Sequence, residues 1–191
     1  MYSESQLIEI VKGKLNEDRF YHSLCVADSA EELAKKYGCD EKKARICGIL
    51  HDIMKNTPLN QQLDFLTKQG ISLTDTELSN PKLYHALSGA EYVKSILKID
   101  DEEIYNAVRY HTTARKGMSL MEKVIYIADF ISADRDYDDV DIMRKKAEES
   151  LESAMLYGLK YSIAEITSRG STLHPDSVDA YNELILGGYG K

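Results

Sequence analysis

Glu17-Asp18-Arg19-Phe20-Tyr21-His22-Ser23-Leu24-Cys25-Val26-Ala27-Asp28-Ser29-Ala30-Glu31-Glu32-Leu33-Ala34-Lys35-Lys36-Tyr37 is the stretch that decides how this chain folds. Phe20, Leu24, Val26, Ala27, Ala30, Leu33, Ala34 and Tyr37 recur at helical spacing. No Pro or Gly interrupts them, and Gly38 stands where helices commonly stop. The pattern predicts one long amphipathic helix over 17–37.

The same pattern extends in both directions. A short helix is expected over 4–15, and Asp40 caps another over 41–54. Pro58 opens a helix to 68, which Gly70 ends. Residues 71–80 are rich in Ser and Thr and read as loop. Further helices are expected over 81–97, 101–110 and 119–132, the last capped by Ser119. An acidic turn follows over 134–141. Residues 141–167 read as helix with a break near Gly158, and Pro175 opens a last helix ending at Gly187-Gly188. No long alternating run competes as a strand, so the fold class is all-α. At 191 residues the chain is expected to form a single domain over 1–191, with a short N-terminal helix and a C-terminal helical extension.

Bulk properties narrow the function. The formal charge of −8, with no Lys/Arg block, argues against nucleic-acid binding. The three cysteines include no C-x-x-C pair and read as free thiols in a reducing cytoplasm. The N-terminus lacks a signal-peptide pattern. The longest apolar run, over 124–131, is too short to span a bilayer and contains an Asp. The expectation is a cytoplasmic protein without membrane partners.

Three polar interruptions carry the chemistry. His22 shares a helical face with Val26, Ala30 and Leu33. His51-Asp52 interrupts Ile46-Cys47-Gly48-Ile49-Leu50 and Ile53-Met54. Asp129 lies inside Val124-Ile125-Tyr126-Ile127-Ala128-Asp129-Phe130-Ile131. An unpaired carboxylate buried in such a helix costs several kcal/mol, so it must meet a cation, a donor cluster or a metal. Taken singly, His22 reads more readily as a satisfied core histidine, and Asp129 reads equally well as a structural ion-pair partner. Together, two imidazoles and two carboxylates can pool lone pairs on one divalent ion. His22, His51, Asp52 and Asp129 are therefore the candidate metal ligands.

On these residues the chain resembles the HD-domain superfamily of metal-dependent phosphohydrolases, whose H…HD…D pattern is met by His22, His51-Asp52 and Asp129. More narrowly it resembles the bacterial YqeK-type HD hydrolases. The stretches Arg19-Phe20-Tyr21-His22-Ser23-Leu24, Leu83-Tyr84-His85-Ala86 and Tyr110-His111-Thr112-Thr113-Ala114-Arg115 carry that likeness. It implies an HD-type helical bundle, a divalent metal that is iron by resemblance (manganese or zinc also suit the ligands), and a possible homodimer. It also implies symmetrical hydrolysis of diadenosine tetraphosphate to two ADP by a metal-activated water. Other HD reactions on nucleotides are the alternative: 5′-nucleotidase, nucleoside triphosphate hydrolase or cyclic nucleotide phosphodiesterase. A non-catalytic metal-binding helical adaptor is a third reading.

The remaining candidates follow from charge and placement. Asp52 is a candidate general base, and His85 and His111 are candidates for phosphate contact, leaving-group protonation or a second metal. A polyphosphate needs further cations and donors. Arg19, Lys55, Arg135 and Thr112 are expected to contact it, with Arg115 and Lys116 ranked below them. Tyr84 and Tyr137 are candidate stacking partners for a base. His174, before Pro175, reads as a loop residue.

Overall fold

The computed structural model describes residues 2–190, and among these there is no strand. The helices are α1 (Glu4–Lys12), α2 (Glu17–Tyr37), α3 (Glu41–Leu50), α4 (Leu59–Lys68), α5 (Asp75–Ser79), α6 (Tyr84–Ser95), α7 (Glu102–Tyr110), α8 (Leu120–Ile131), α9 (Val140–Glu149), α10 (Leu151–Ser168) and α11 (Pro175–Leu186). A 3₁₀ turn, Pro81–Leu83, leads into α6.

The caps explain most of the boundaries. Asn16, Asp40, Asp101 and Ser119 each accept a first-turn backbone N–H, which satisfies donors a helix start leaves unpaired. Gly38 adopts φ 83°, the left-handed C-cap its position predicts. α8 lies at the centre, touching α2, α3, α7, α9 and α10. It is apolar nearly all round, and Val124, Ile125, Tyr126, Ile127 and Ala128 are buried.

Two expectations are corrected. Residues 71–80 are not all loop: Thr74 and Glu77 form a reciprocal capping box that starts α5. The long C-terminal helix breaks at Ser150, not at Gly158. Ser150 takes an extended backbone and its side chain accepts the Ser153 N–H, starting α10 afresh. α10 runs straight through Gly158. A Cβ there would meet Met143 Cε at 3.1 Å and Phe130 at 3.4 Å, so this glycine admits close packing of α8 and α9.

One close approach positions the chemistry. A Cβ on Gly48 would lie 2.5 Å from Ala27 Cα. Only glycine lets α3 pack so tightly on the α2 backbone, and this sets His51 beside His22.

Candidate metal centre

α3 ends at Leu50, and residues 51–56 continue as turns. The change of direction lets His51 and its neighbour Asp52 both face inward, which an unbroken helix, at about 100° per residue, would not. The His51 ring lies 5.3 Å from that of His22 on α2 and 5.0 Å from that of His111, the C-cap of α7. The His111 ring in turn lies 5.1 Å from that of His85 at the start of α6. Four of the five histidines thus form one chain of rings, and all four are buried.

Their outer nitrogens are all engaged. His51 Nδ1 donates to Gly48 O at 2.7 Å, His111 Nδ1 to Val108 O at 2.7 Å, and His85 Nδ1 to Lys82 O at 2.6 Å. A carbonyl carries no proton, so each Nδ1 must, and the neutral form of each ring turns an Nε2 lone pair inward. His22 Nδ1 instead donates to the Asp134 carboxylate at 2.7 Å.

The inner nitrogens meet two aspartates. His22 Nε2 lies 3.0 Å from Asp129 Oδ1. Asp52 Oδ1 lies 3.1 Å from His85 Nε2 and 3.5 Å from His111 Nε2, while Asp52 Oδ2 lies 3.5 Å from His51 Nε2. Two sets of donor atoms result, each within 4.8 Å: His22, His51 and Asp129, and His51, Asp52 and His111. The sequence grouped Asp52 with His22 and Asp129. Asp52 also adjoins His51, the fourth member of that group, through Oδ2, while its Oδ1 faces His85 and His111.

The lone pairs suit a divalent metal. His51 Nε2 and Asp52 Oδ1 are buried without a hydrogen-bond donor, a state that costs about 1–3 kcal/mol per group. His85 Nε2 and His111 Nε2 face each other at 3.1 Å, and with both Nδ1 atoms already protonated these are two lone pairs in contact. Such pairs repel unless a proton or a cation lies between them. Imidazole and carboxylate donors match iron, manganese or zinc.

Electrostatics agrees. Burial alone would raise the Asp52 carboxyl, but His51, His111 and His85 overcome it and hold the group well below the usual carboxylate range. Asp129 is likewise pushed up by burial and pulled further down by the Arg135 charge and by His22 and His51. Burial lowers His85 to about 4, against a smaller opposing pull from Asp52. Asp129 is less buried than its apolar neighbours imply, with a fifth of its side chain exposed on the last turn of α8. Its cation partner is Arg135, which also donates from Nε to the Asp129 carbonyl at 2.7 Å.

The expected cations divide. Arg19 lies 2.9 Å from Asp52 Oδ2, and Lys55 Nζ lies 3.2 Å from His85 Nε2. With Arg135 they line the open side of the cluster, each about a third exposed. Arg115 does not join them, being held by both oxygens of Glu122 at 2.6 and 3.1 Å, and Lys116 is exposed. Thr112 Oγ1 is buried and unpartnered beside His111. Tyr84 is buried with its hydroxyl on Leu78 O, and the partly buried Tyr137 donates its hydroxyl to Phe130 O, its ring 5.5 Å from that of Tyr161. His174 caps α11 by accepting from Asp176 N. Asp134, which holds His22, went unnoticed in the sequence because it stands among four other aspartates in the segment 134–141.

A cavity of about 560 Å³ lies apart from these residues, lined by Thr74, Glu77, Leu87, Tyr105, Arg109 and His174 among others. Its buried charges pair with each other: Arg109 Nη2 lies 2.9 Å from Glu77 Oε1. None of the donors around Asp52 lines it.

Comparison with known proteins agrees with this arrangement. The HD domain model matches residues 19–134. The symmetrical bis(5′-nucleosyl)-tetraphosphatase of Bacillus subtilis is 36% identical over 97% of this chain and 99% of its own length. That of Halalkalibacterium halodurans is 34% identical over 96% and 98%. The crystal structure of a predicted HD superfamily hydrolase involved in NAD metabolism, from Clostridium acetobutylicum, superimposes with a TM-score of 0.94 at 39% identity, covering 98% of this chain and 99% of that one. Shared fold, shared length and the histidine–aspartate cluster lead to one conclusion: the chain belongs to the HD domain family.

Proposed function

We propose that this chain is a metal-dependent phosphohydrolase that cleaves diadenosine tetraphosphate symmetrically into two ADP. The observation that carries the reading is the cluster of imidazole and carboxylate donors around Asp52, with buried lone pairs that call for a cation. Substrate and symmetry are those of the relatives' names, which cover nearly the whole of this chain. Iron is the metal the family resemblance implies.

In this reading His22, His51 and Asp129 would hold one metal, and His85, His111 and Asp52 would hold another, the two carboxylate oxygens of Asp52 being free to serve both. When bound, the metal supplies Lewis-acid stabilisation of charge on the phosphoryl oxygens. Water adds across one P–O–P bridge, so its hydroxyl ends on one ADP and its proton on the other. Arg19, Lys55 and Arg135 neutralise the remaining phosphate charge from the open side.

Protonation states constrain the roles. Asp52, held well below the usual range, is a poor base and serves as an anionic metal ligand. His85, at about 4, is neutral near pH 7 and acts as an electron-pair donor rather than as the acid for the leaving group. Lys55 is the cation nearest that end.

The test is product analysis on diadenosine tetraphosphate with the metal-loaded protein. ADP as the sole nucleotide product is expected. An equimolar mixture of AMP and ATP would exclude symmetrical cleavage, and hydrolysis of nucleoside monophosphates in preference would favour the nucleotidase alternative.

A further inference from the structure

Three of the four clustered histidines are held from behind in one way, and the fourth in another. His51, His85 and His111 each donate Nδ1–H to a carbonyl three residues upstream. Their orientation is local and forms with the segment that carries them. His22 has no such local partner. Its Nδ1 donates to Asp134 Oδ2 at 2.7 Å, from the loop that follows α8. Asp134 is itself fixed by Ser132, whose fully buried hydroxyl donates to Asp134 Oδ1 at 2.7 Å. The next residue, Arg135, reaches the other side of the same ring, with Nη2 3.4 Å from His22 Nε2. One short loop therefore grips His22 from both sides.

A carboxylate behind an imidazole does more than a carbonyl. It fixes the tautomer with Nδ1 protonated, and its charge strengthens Nε2 as an electron-pair donor. We infer that Asp134 is the positioning residue of His22 and sets the metal affinity of the His22–His51–Asp129 donor set without acting on the His85 and His111 donors beside Asp52. This inference rests on the reading of His22 as a ligand. Asp134 falls in neither donor set, and its carboxylate lies on the far side of the ring from Asp129.

The test is a titration of metal-free protein with cobalt(II), followed by calorimetry and by the visible absorption of the bound ion. The wild-type chain is expected to bind two equivalents. Asp134→Ala should weaken one of them about 10- to 100-fold and leave the other unchanged. Asp134→Asn, whose amide oxygen still accepts from Nδ1, should fall between Ala and wild type. Ser132→Ala should weaken the same equivalent to a smaller degree, and it carries the test if circular dichroism shows an Asp134 variant to be unfolded. An Asp134→Ala isotherm that overlays the wild type overturns the inference, as does equal weakening of both equivalents in a folded variant. A wild-type chain that binds no cobalt would instead remove the reading of the site itself.

Discussion

His22 Nε2 on α2 lies 3.0 Å from Asp129 Oδ1 on α8. The two helices pack directly on each other, and this contact brings the first and last residues of the H…HD…D pattern together. Asp129 has no other role of comparable consequence, since its Arg135 pair is partly exposed and contributes about 1 kcal/mol at most. Asp129→Ala should therefore remove one metal equivalent and abolish turnover while the circular dichroism spectrum stays that of the wild type. Full metal content in this variant would exclude Asp129 as a ligand.

His111 belongs to the other donor set. His111→Ala should halve the metal content of the purified protein rather than empty it, and should lower kcat by at least about 100-fold if both ions act in the reaction. Elemental analysis decides this. Unchanged stoichiometry would reassign His111 to substrate contact.

Lys55 faces the cluster from its open side, and burial lowers its pKa against the pull of Asp52. A charged hydrogen bond to phosphate is worth about 1.5–3 kcal/mol. Lys55→Ala should thus reduce kcat/KM for diadenosine tetraphosphate by roughly 10- to 100-fold. The loss should shrink on substrates with fewer phosphates. An equal loss on all substrates would point to a structural role.

Metal-free protein should be acid-sensitive in a defined window. His85 titrates near about 4 in the folded chain and near 6.5 when unfolded. Between those values the unfolded chain binds the extra proton, so stability is lost as pH falls from 6.5 towards 4, by at most about 3 kcal/mol from this group. The lowered Asp52 acts below that window, its contribution lost only as pH falls through its depressed folded value. Urea unfolding at about pH 7 and pH 5 measures the slope. His85→Asn should flatten it, and identical slopes in the two proteins would contradict this role for His85.

Gly48 offers a test of the scaffold alone. A Cβ there would sit 2.5 Å from Ala27 Cα, a backbone atom that cannot step aside. Gly48→Ala should cost about 1–3 kcal/mol, seen as a drop in Tm of several degrees. Because the shift separates α2 from α3, metal affinity should fall with it. A wild-type Tm would show that the helices adjust freely.

Much of this was legible from residue pattern. A polar group set into an apolar helical face is conspicuous, and His22, His51, Asp52 and Asp129 all announce themselves in that way. What the pattern could not supply was distance. Asp52 shares a tripeptide neighbourhood with Leu50 and His51, yet nothing in one dimension says that its carboxylate faces His85 and His111 as well as His51. Asp134 was illegible for a different reason: an aspartate in an acidic turn looks solvated until the loop is seen to fold back on α2. The break in the C-terminal helix was misplaced because Gly158 is a packing residue there, while Ser150 gives the actual stop.

The most direct test joins stoichiometry to chemistry in one sample: elemental analysis of the purified protein, followed by product analysis on diadenosine tetraphosphate with that same material. Two metal ions per chain and ADP as the only nucleotide released are expected. Full turnover by protein stripped of metal would contradict the account.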